Sequence, residues 1–335
     1  MQEFADAIDL LATSDPVVAF EGALRHGRLI GLRTSGTLSA PRLVVRTPES
    51  WAASFPTFAD LAGIGSTSRA WIPGPLTSTM NLFAAVHARA SGAAIVQAAS
   101  ACTHAYLTPA SLARALDDRA LPQGTVAIVA GDILQPRLRD QAAMEGIVVH
   151  HYYGASELSF TAWGTAADDL TAFPGVEVDV RDGVIWSRSP FHARGYATAT
   201  GPFATDAIGF ATVGDLGRLD GGYLRVHGRS AEAITTAGAT VLVADIEAEL
   251  AASALGEIAI VGLPHERMGS LVVAAVTREE DAPRLAAVAR DRLAPAARPR
   301  RWYAVPELPL TEAGKLDRTR LARMLEAAPA LPMAR

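Results

Sequence analysis

Four short segments of this chain combine side-chain types at spacings that could do chemistry. The first, Thr34-Ser35-Gly36-Thr37-Leu38-Ser39-Ala40-Pro41-Arg42, is dense in hydroxyls and small residues. Phosphate binding needs several N–H and O–H donors converging on one point, with small residues that let the backbone approach. Thr34, Ser35, Thr37 and Ser39 supply hydroxyls, Gly36 supplies conformational freedom, and Arg42 adds positive charge. The same composition also makes an ordinary turn between strands. The second segment, Tyr153-Gly154-Ala155-Ser156-Glu157, offers a ring that can stack on a base and a carboxylate that can hold magnesium bridging phosphates. Read alone, it is a strand-to-helix turn ending in an acid. The third, Val213-Gly214-Asp215-Leu216-Gly217 with Gly228-Arg229 beyond it, places an aspartate able to accept two hydrogen bonds from a vicinal diol such as ribose, or simply to cap a turn. The fourth, Pro309-Leu310-Thr311-Glu312-Ala313-Gly314-Lys315, presents a single lysine that gains meaning only from the other three.

These segments need elements to position them. Apolar runs and turn residues predict strands over 43–46, 93–96, 125–130 and 147–151, with 93–96 buried. They predict helices over 50–62, with Ser50 as N-cap, and over 80–90, 111–117 and 136–145. The strand over 125–130 runs into Gly131-Asp132, and the strand over 147–151 delivers the chain to Tyr152, so both turns fall on one edge of a sheet. The carboxyl edge of a parallel sheet is where open α/β folds bind ligands. From Phe173 the texture changes to short β pieces over 176–180, 184–187 and 222–226, a small antiparallel or barrel-like unit. Beyond Arg229 the pattern gives a hairpin over 234–241, a helix over 245–254, strands over 257–262 and 271–277, a helix over 284–293, a strand over 302–305 and a helix from Thr319. The expected class is α/β. A large N-terminal domain, residues 1–229, holds parallel sheet wrapped by helices plus the β-barrel-like unit. A smaller α+β domain, residues 230–335, follows a boundary between Gly228 and Ala231.

Composition narrows the function classes. At 335 residues two domains are expected. A net charge of −5 argues against a nucleic-acid binder, which carries a basic face. The single cysteine, Cys102, excludes an internal disulfide and a thiolate zinc cluster, and its flanks carry no activating pattern. No uninterrupted apolar run reaches the length of a membrane span. The start, Met-Gln-Glu-Phe-Ala-Asp, carries acids where a signal peptide needs positive charge, so the expected compartment is the cytoplasm.

In combination and in order, these segments resemble the motifs of the adenylate-forming superfamily of acyl-CoA synthetases, adenylation domains and luciferases. The matching positions are Thr34-Ser35-Gly36-Thr37 with Pro41-Arg42, Gly131-Asp132, Tyr153 to Glu157, Gly214-Asp215, Gly228-Arg229, Gly238 with Asp245-Ile246-Glu247, and Pro309-Leu310-Thr311 with Gly314-Lys315. The likeness runs from Leu32 to Arg318 and is greatest to the short o-succinylbenzoate–CoA ligases, with an N-terminal domain abbreviated at its start. It implies ATP-dependent activation of a small carboxylic acid to an acyl-adenylate, followed by thioesterification. The acceptor implied first is coenzyme A; the rivals are an acyl or peptidyl carrier protein and an amine. A non-catalytic relative that binds nucleotide or an acyl ligand is the reading from another class. The cofactors implied are ATP, Mg²⁺ and coenzyme A, with no nucleic-acid or membrane partner and a homodimer as the assembly to test.

By motif position, Lys315 and Glu157 would be catalytic, with Glu157 also the metal ligand. Thr34, Ser35, Gly36, Thr37, Arg42 and Ser156 would bind the phosphates, and Gly131, Asp132, Tyr153, Gly154, Asp215 and Arg229 the adenine and ribose. Ser78, Thr79 and Ala155 would line the acid pocket, Ala231 would be the hinge, and Gly238 would border the thiol channel. Arg42 stands where lysine is usual, Ser156 where threonine is common, and Ala231 where an aspartate or lysine is usual. The stretch Gly74 to Asn81 holds no histidine where many members place one beside the acid, which implies a pocket shaped for a different acid.

Overall fold

The computed structural model describes residues 4, 6–33, 42–197, 201–229, 233–236 and 238–332, with Arg229 described by its backbone. The chain forms two units, Met1–Val226 with Glu312–Lys315, and His227–Thr311 with Leu316–Arg335.

The first unit is built on a seven-stranded sheet in the order Thr171–Ala172, Ser159–Gly164, Val148–Ala155, Val126–Val129, His104–Leu107, Arg69–Trp71, Ala94–Val96. The strands from Ala94–Val96 through Val148–Ala155 run parallel, and the other two are added antiparallel. Parallel strands need crossovers, here the helices Thr79–Ala90, Pro109–Asp117 and Pro136–Met144. Pro109 and Pro136 each stand in the first turn, where a missing N–H removes no helical bond. One large core gathers Trp51, Phe58, Phe83, Phe160 and Phe173, and another gathers Leu107, Leu112, Leu116 and Val129. The carboxyl ends of three neighbouring strands thus present Thr108, Gly131 and the turn from Tyr153 to Glu157 along one edge.

Two smaller sheets flank it. Ile8–Asp9, Ile30–Arg33, Leu43–Arg46 and Gly195–Tyr196 make one. Ala204–Thr205, Ala211–Thr212, Val184–Arg188, Asp215–Asp220 and Tyr223–Arg229, with Glu177–Arg181 paired to Val184–Arg188, make the other. In the second unit, Ala239–Val241, Ile234–Thr236, Gly269–Val276 and Ile258–His265 pair in that order, with Arg301–Ala304 parallel to Gly269–Val276. Helices Val243–Ala251 and Asp281–Arg292 bury Ile246, Leu250 and Leu285 in one cluster, while Arg318–Ala327 buries Leu321 and Leu325 in another. No helix among the described residues is long and apolar enough to cross a membrane.

The α/β class is as expected, and the differences are local. The helix expected over 50–62 is two, Pro48–Ala52 and Phe55–Ala62. Thr47, not Ser50, caps the first, accepting from the Ser50 amide at 3.2 Å. The break at Ala53-Ser54 lets Pro56 fall in the first turn of the second helix, where its ring is tolerated. The strand expected to be buried over 93–96 is an edge strand with Ala94 and Ile95 exposed. The strand expected over 147–151 continues to Ala155 because Ser159–Gly164 folds back upon it. Neither that return strand nor the two-residue strand Gly195–Tyr196 was foreseen.

Candidate active site

Lys315 sits on a tight loop whose stem is pinned. Leu310 and Leu316 bridge antiparallel, the Asp317 amide donates to Pro309 O at 2.8 Å, and Gly314 takes φ +74°. Just beyond, the Arg318 guanidinium reaches both oxygens of Glu247 at 2.7 and 2.9 Å and donates to Ile260 O at 2.9 Å. A bidentate arginine–carboxylate pair fixes direction as well as distance. The segment Glu312–Lys315 groups with the first unit. There Thr108 Oγ1 donates to Gly314 O at 2.8 Å while also accepting from the Ser111 amide as the cap of Pro109–Asp117. Gly131 has φ +92°, and a Cβ on it would stand 3.0 Å from Lys315 Cε and 3.8 Å from Nζ. Glycine at 131 therefore leaves the space the lysine occupies. Asp132 is exposed beside it and holds the Ile133 amide at 2.8 Å.

Glu157 is 5% exposed, and its Oε1 accepts from Tyr196 Oη at 2.8 Å. The Glu157 carbonyl accepts from the Ala193 amide at 2.7 Å, and the Arg194 amide donates to Val45 O at 2.7 Å. Gly195 and Tyr196 pair with Val45 and Val44, so residues 193–196 join the turn at Glu157 to the strand leaving 34–41. Arg46, fully buried on that strand, donates from Nε to Ser50 Oγ at 3.1 Å and from Nη2 to Phe191 O, and its Nη1 is buried without a hydrogen-bond partner among the described residues. Burial pulls its guanidinium down to about 9, and the charge of Glu157 acts in the opposite direction. Burial, then the nearby Arg46 charge, pushes His192 down to about 4. Tyr196 is raised by burial and by the Glu157 carboxylate, and Arg42 acts on it in the opposite sense.

Tyr153 and Asp215, expected to serve base and ribose, are joined: Tyr153 Oη donates to Asp215 Oδ2 at 2.8 Å, and Asp215 is 7% exposed. The strand bulges between Tyr153 and Gly154, where a Cβ on Gly154 would stand 1.8 Å from Ser159 O, so only glycine fits. Ser156 Oγ donates to Thr79 Oγ1 at 3.1 Å, tying the expected phosphate side to the expected acid side. Ser78 is buried ahead of the helix Thr79–Ala90, and Ala155 packs against Leu158, Ala211 and Val213. Gly238, at φ +82°, opens the strand Ala239–Val241 in the second unit. Thr34, Ser35, Gly36, Thr37 and Ala231, and the side chain of Arg229, lie outside the described residues.

The Glu157 carboxylate suits magnesium, which takes one or two carboxylates together with substrate phosphates rather than an all-protein cage. Among the described residues no group of three or more His, Cys, Asp and Glu could form such a cage. Sequence reasoning missed Thr108, Tyr196 and Arg46. The Thr-Pro pair at 108–109, a cap followed by a helix start, was a readable signal for the first. Nothing local marked the other two.

Residues 245–315 match the family described as the AMP-binding enzyme C-terminal domain. The probable 2-succinylbenzoate–CoA ligase of Mycobacterium tuberculosis is 31% identical over 339 residues, covering 90% of this chain and 87% of its own. The uncharacterized acyl–CoA ligase YhfT of Bacillus subtilis is 27% identical over 356 residues, covering 96% of this chain and 71% of its own. Among solved structures, an E. coli MenE variant with bound OSB-AMS superposes with a TM-score of 0.77 at 25% identity, covering 89% of this chain and 69% of that one.

Proposed function

The chain belongs to the adenylate-forming superfamily of AMP-forming acid–thiol ligases, and on that premise we propose how its residues activate a carboxylic acid with ATP and pass it to coenzyme A. One observation carries the assignment: Lys315 lies against Gly131 at the carboxyl edge of the parallel sheet, on the same edge as Tyr153 to Glu157.

In the first half-reaction an oxygen of the acid attacks the α-phosphate of ATP, forming the acyl-adenylate and expelling pyrophosphate. Lys315 Nζ, held by the pinned loop, stabilises the negative charge that grows on the phosphate in the transition state. Positioned charge of this kind carries most of the catalysis where little covalent chemistry falls to the protein. Residues 34–37 and Arg42 cradle the outer phosphates, with Ser156 near the α-phosphate. Magnesium, held through Glu157, would neutralise phosphate charge. Tyr153 packs on the adenine beside Gly131 and Gly154, and Asp215 takes the ribose hydroxyls, with Asp132 and Arg229 at the margin. In the second half-reaction the thiol sulfur attacks the acyl carbon, the acyl–oxygen bond breaks and AMP leaves. Residues 1–229 bind ATP and acid; residues 230–335 supply Lys315 and, at Gly238, border the thiol path.

The acid belongs to the small acyl and aryl carboxylates. 2-Succinylbenzoate, which names the Mycobacterium tuberculosis relative, is the reference acid for the panel, and Ser78 and Thr79, which supply hydroxyls where the acid would lie, favour another member of that class. ATP and coenzyme A are both cytoplasmic, and the cytoplasm is the proposed compartment. The test is pyrophosphate release with ATP, Mg²⁺ and a panel of acids, with and without coenzyme A. Release with one acid class, accelerated by coenzyme A, is expected. Release indifferent to coenzyme A would move the acceptor to a carrier protein or an amine, and silence across the panel with ATP still bound would overturn the catalytic assignment.

A further inference from the structure

Every role assigned to Glu157 depends on where its carboxylate points, and the side chain most directly placed to set that direction is one no motif marks. We propose that Tyr196 is a positioning residue for Glu157, its phenol holding one carboxylate oxygen so that the other is presented in a fixed direction to the magnesium that accompanies ATP. The proposal rests on the functional reading above and extends it to a residue outside its motifs.

The geometry is directional. Tyr196 Oη accepts from the Phe203 amide at 3.3 Å and donates to Glu157 Oε1 at 2.8 Å. A phenol has one proton, so with an amide donating to the oxygen that proton is committed to the carboxylate. The ring is itself fixed: its backbone pairs with Val44, and Phe203 meets it edge-on with centroids 6.5 Å apart. Glu157 is nearly buried, so water competes little for the bond. The Arg46 guanidinium acts on Glu157 from the neighbouring strand, supplying attraction without a direction of its own, since among the described residues its hydrogen bonds go to Ser50 and Phe191. Charge thus comes from Arg46 and orientation from Tyr196. A hydrogen bond to a charged, buried group is worth enough that its loss is visible in binding.

The experiment measures magnesium dependence rather than turnover. Binding of the fluorescent nucleotide mant-ATP is titrated with Mg²⁺ for the whole chain, for Tyr196→Phe, for Glu157→Gln and for the double variant, with thermal melting as a check that each folds. Tyr196→Phe should raise the half-saturating Mg²⁺ about tenfold while leaving mant-ATP binding without Mg²⁺ unchanged. In the Glu157→Gln background the same substitution should add less than about twofold, because its effect runs through the carboxylate. An unchanged or lowered Mg²⁺ requirement, or an equal rise in both backgrounds, would overturn the proposal. If the unaltered chain binds mant-ATP with no response to Mg²⁺, the functional reading fails first; if it responds and Tyr196→Phe matches it, only the role of Tyr196 fails.

Discussion

Replacing Gly131 by alanine tests the lysine assignment without touching the lysine. The new methyl would stand 3.0 Å from Lys315 Cε and 3.7 Å from Thr108 Cγ2. Carbon atoms rest at about 3.5–4.0 Å, so the lysine methylene must retreat by about 0.5–1 Å. The backbone at φ +92° also becomes strained, at a cost of about 1–2 kcal/mol for a residue with a Cβ. The strain should lower the melting point by several degrees, at about 2–4 °C per kcal/mol for a domain of 150–250 residues. The displacement should do more. A misplacement of about 1 Å can cost about a hundredfold in rate, and the Gly131→Ala contact is with a flexible methylene, so a loss of about ten- to a hundredfold in pyrophosphate release is expected. Thioester formation from supplied acyl-adenylate, which the proposed role of Lys315 leaves independent of it, should stay within about twofold. The control is Lys315→Ala, expected to lose about 10²–10³ in the same half-reaction. Adding Gly131→Ala to Lys315→Ala should then cost nothing further. Equal losses in both half-reactions, or full additivity with Lys315→Ala, would refute the reasoning.

Two further outcomes follow from the same structure. Tyr153→Phe removes the proton given to Asp215 but keeps the ring, so KM for ATP should rise by about ten- to a hundredfold with the melting point nearly constant; an unchanged KM would mean that Asp215 needs no such support. Burial holds His87 and His151 at about 4, below the 6.5 of an exposed imidazole. Their folded values are depressed, so the stability they confer is complete above about pH 6.5 and is lost as pH falls toward 4. At pH 5.5 each should have cost about 1 kcal/mol relative to neutral pH, and urea midpoints that stay flat from pH 7.5 to 5.5 would contradict the sign.

The parts of this molecule that were legible in its sequence are those whose signal is local. Val126–Val129 is an apolar run that ends at a glycine, and Tyr153 to Glu157 is a compact cluster at a strand end; both stand on the sheet edge where such patterns place them. What escaped depends on partners far along the chain. Arg46 reads as the end of a strand, and nothing near it reveals that it is fully buried against residues near 191. Tyr196 lies in a two-residue strand, too short to carry a period, and its partner Glu157 is 39 residues away. The position of Tyr153 suggests a use for its ring, while its hydroxyl meets an aspartate 62 residues further on. The helix expected over 50–62 divides for a different reason: apolar spacing continues through Pro56, but a proline in a helix interior breaks the hydrogen-bond ladder, so the second helix starts just before it.

The short ladder that ties Leu43–Arg46 to Gly195–Tyr196 also bears on how this site can diverge. The Ala193 amide donates to the Glu157 carbonyl and the Arg194 amide to Val45 O, so two distant motifs hang from one four-residue stretch by main-chain bonds. Main-chain bonds are indifferent to side-chain identity. Arginine at 42 or serine at 156 can therefore change what a position offers without changing where it stands. A single insertion or deletion between Phe191 and Tyr196 would shift both motifs together and invert the face on which Tyr196 projects. Residues 192–194 can therefore accept substitution more readily than a change of length.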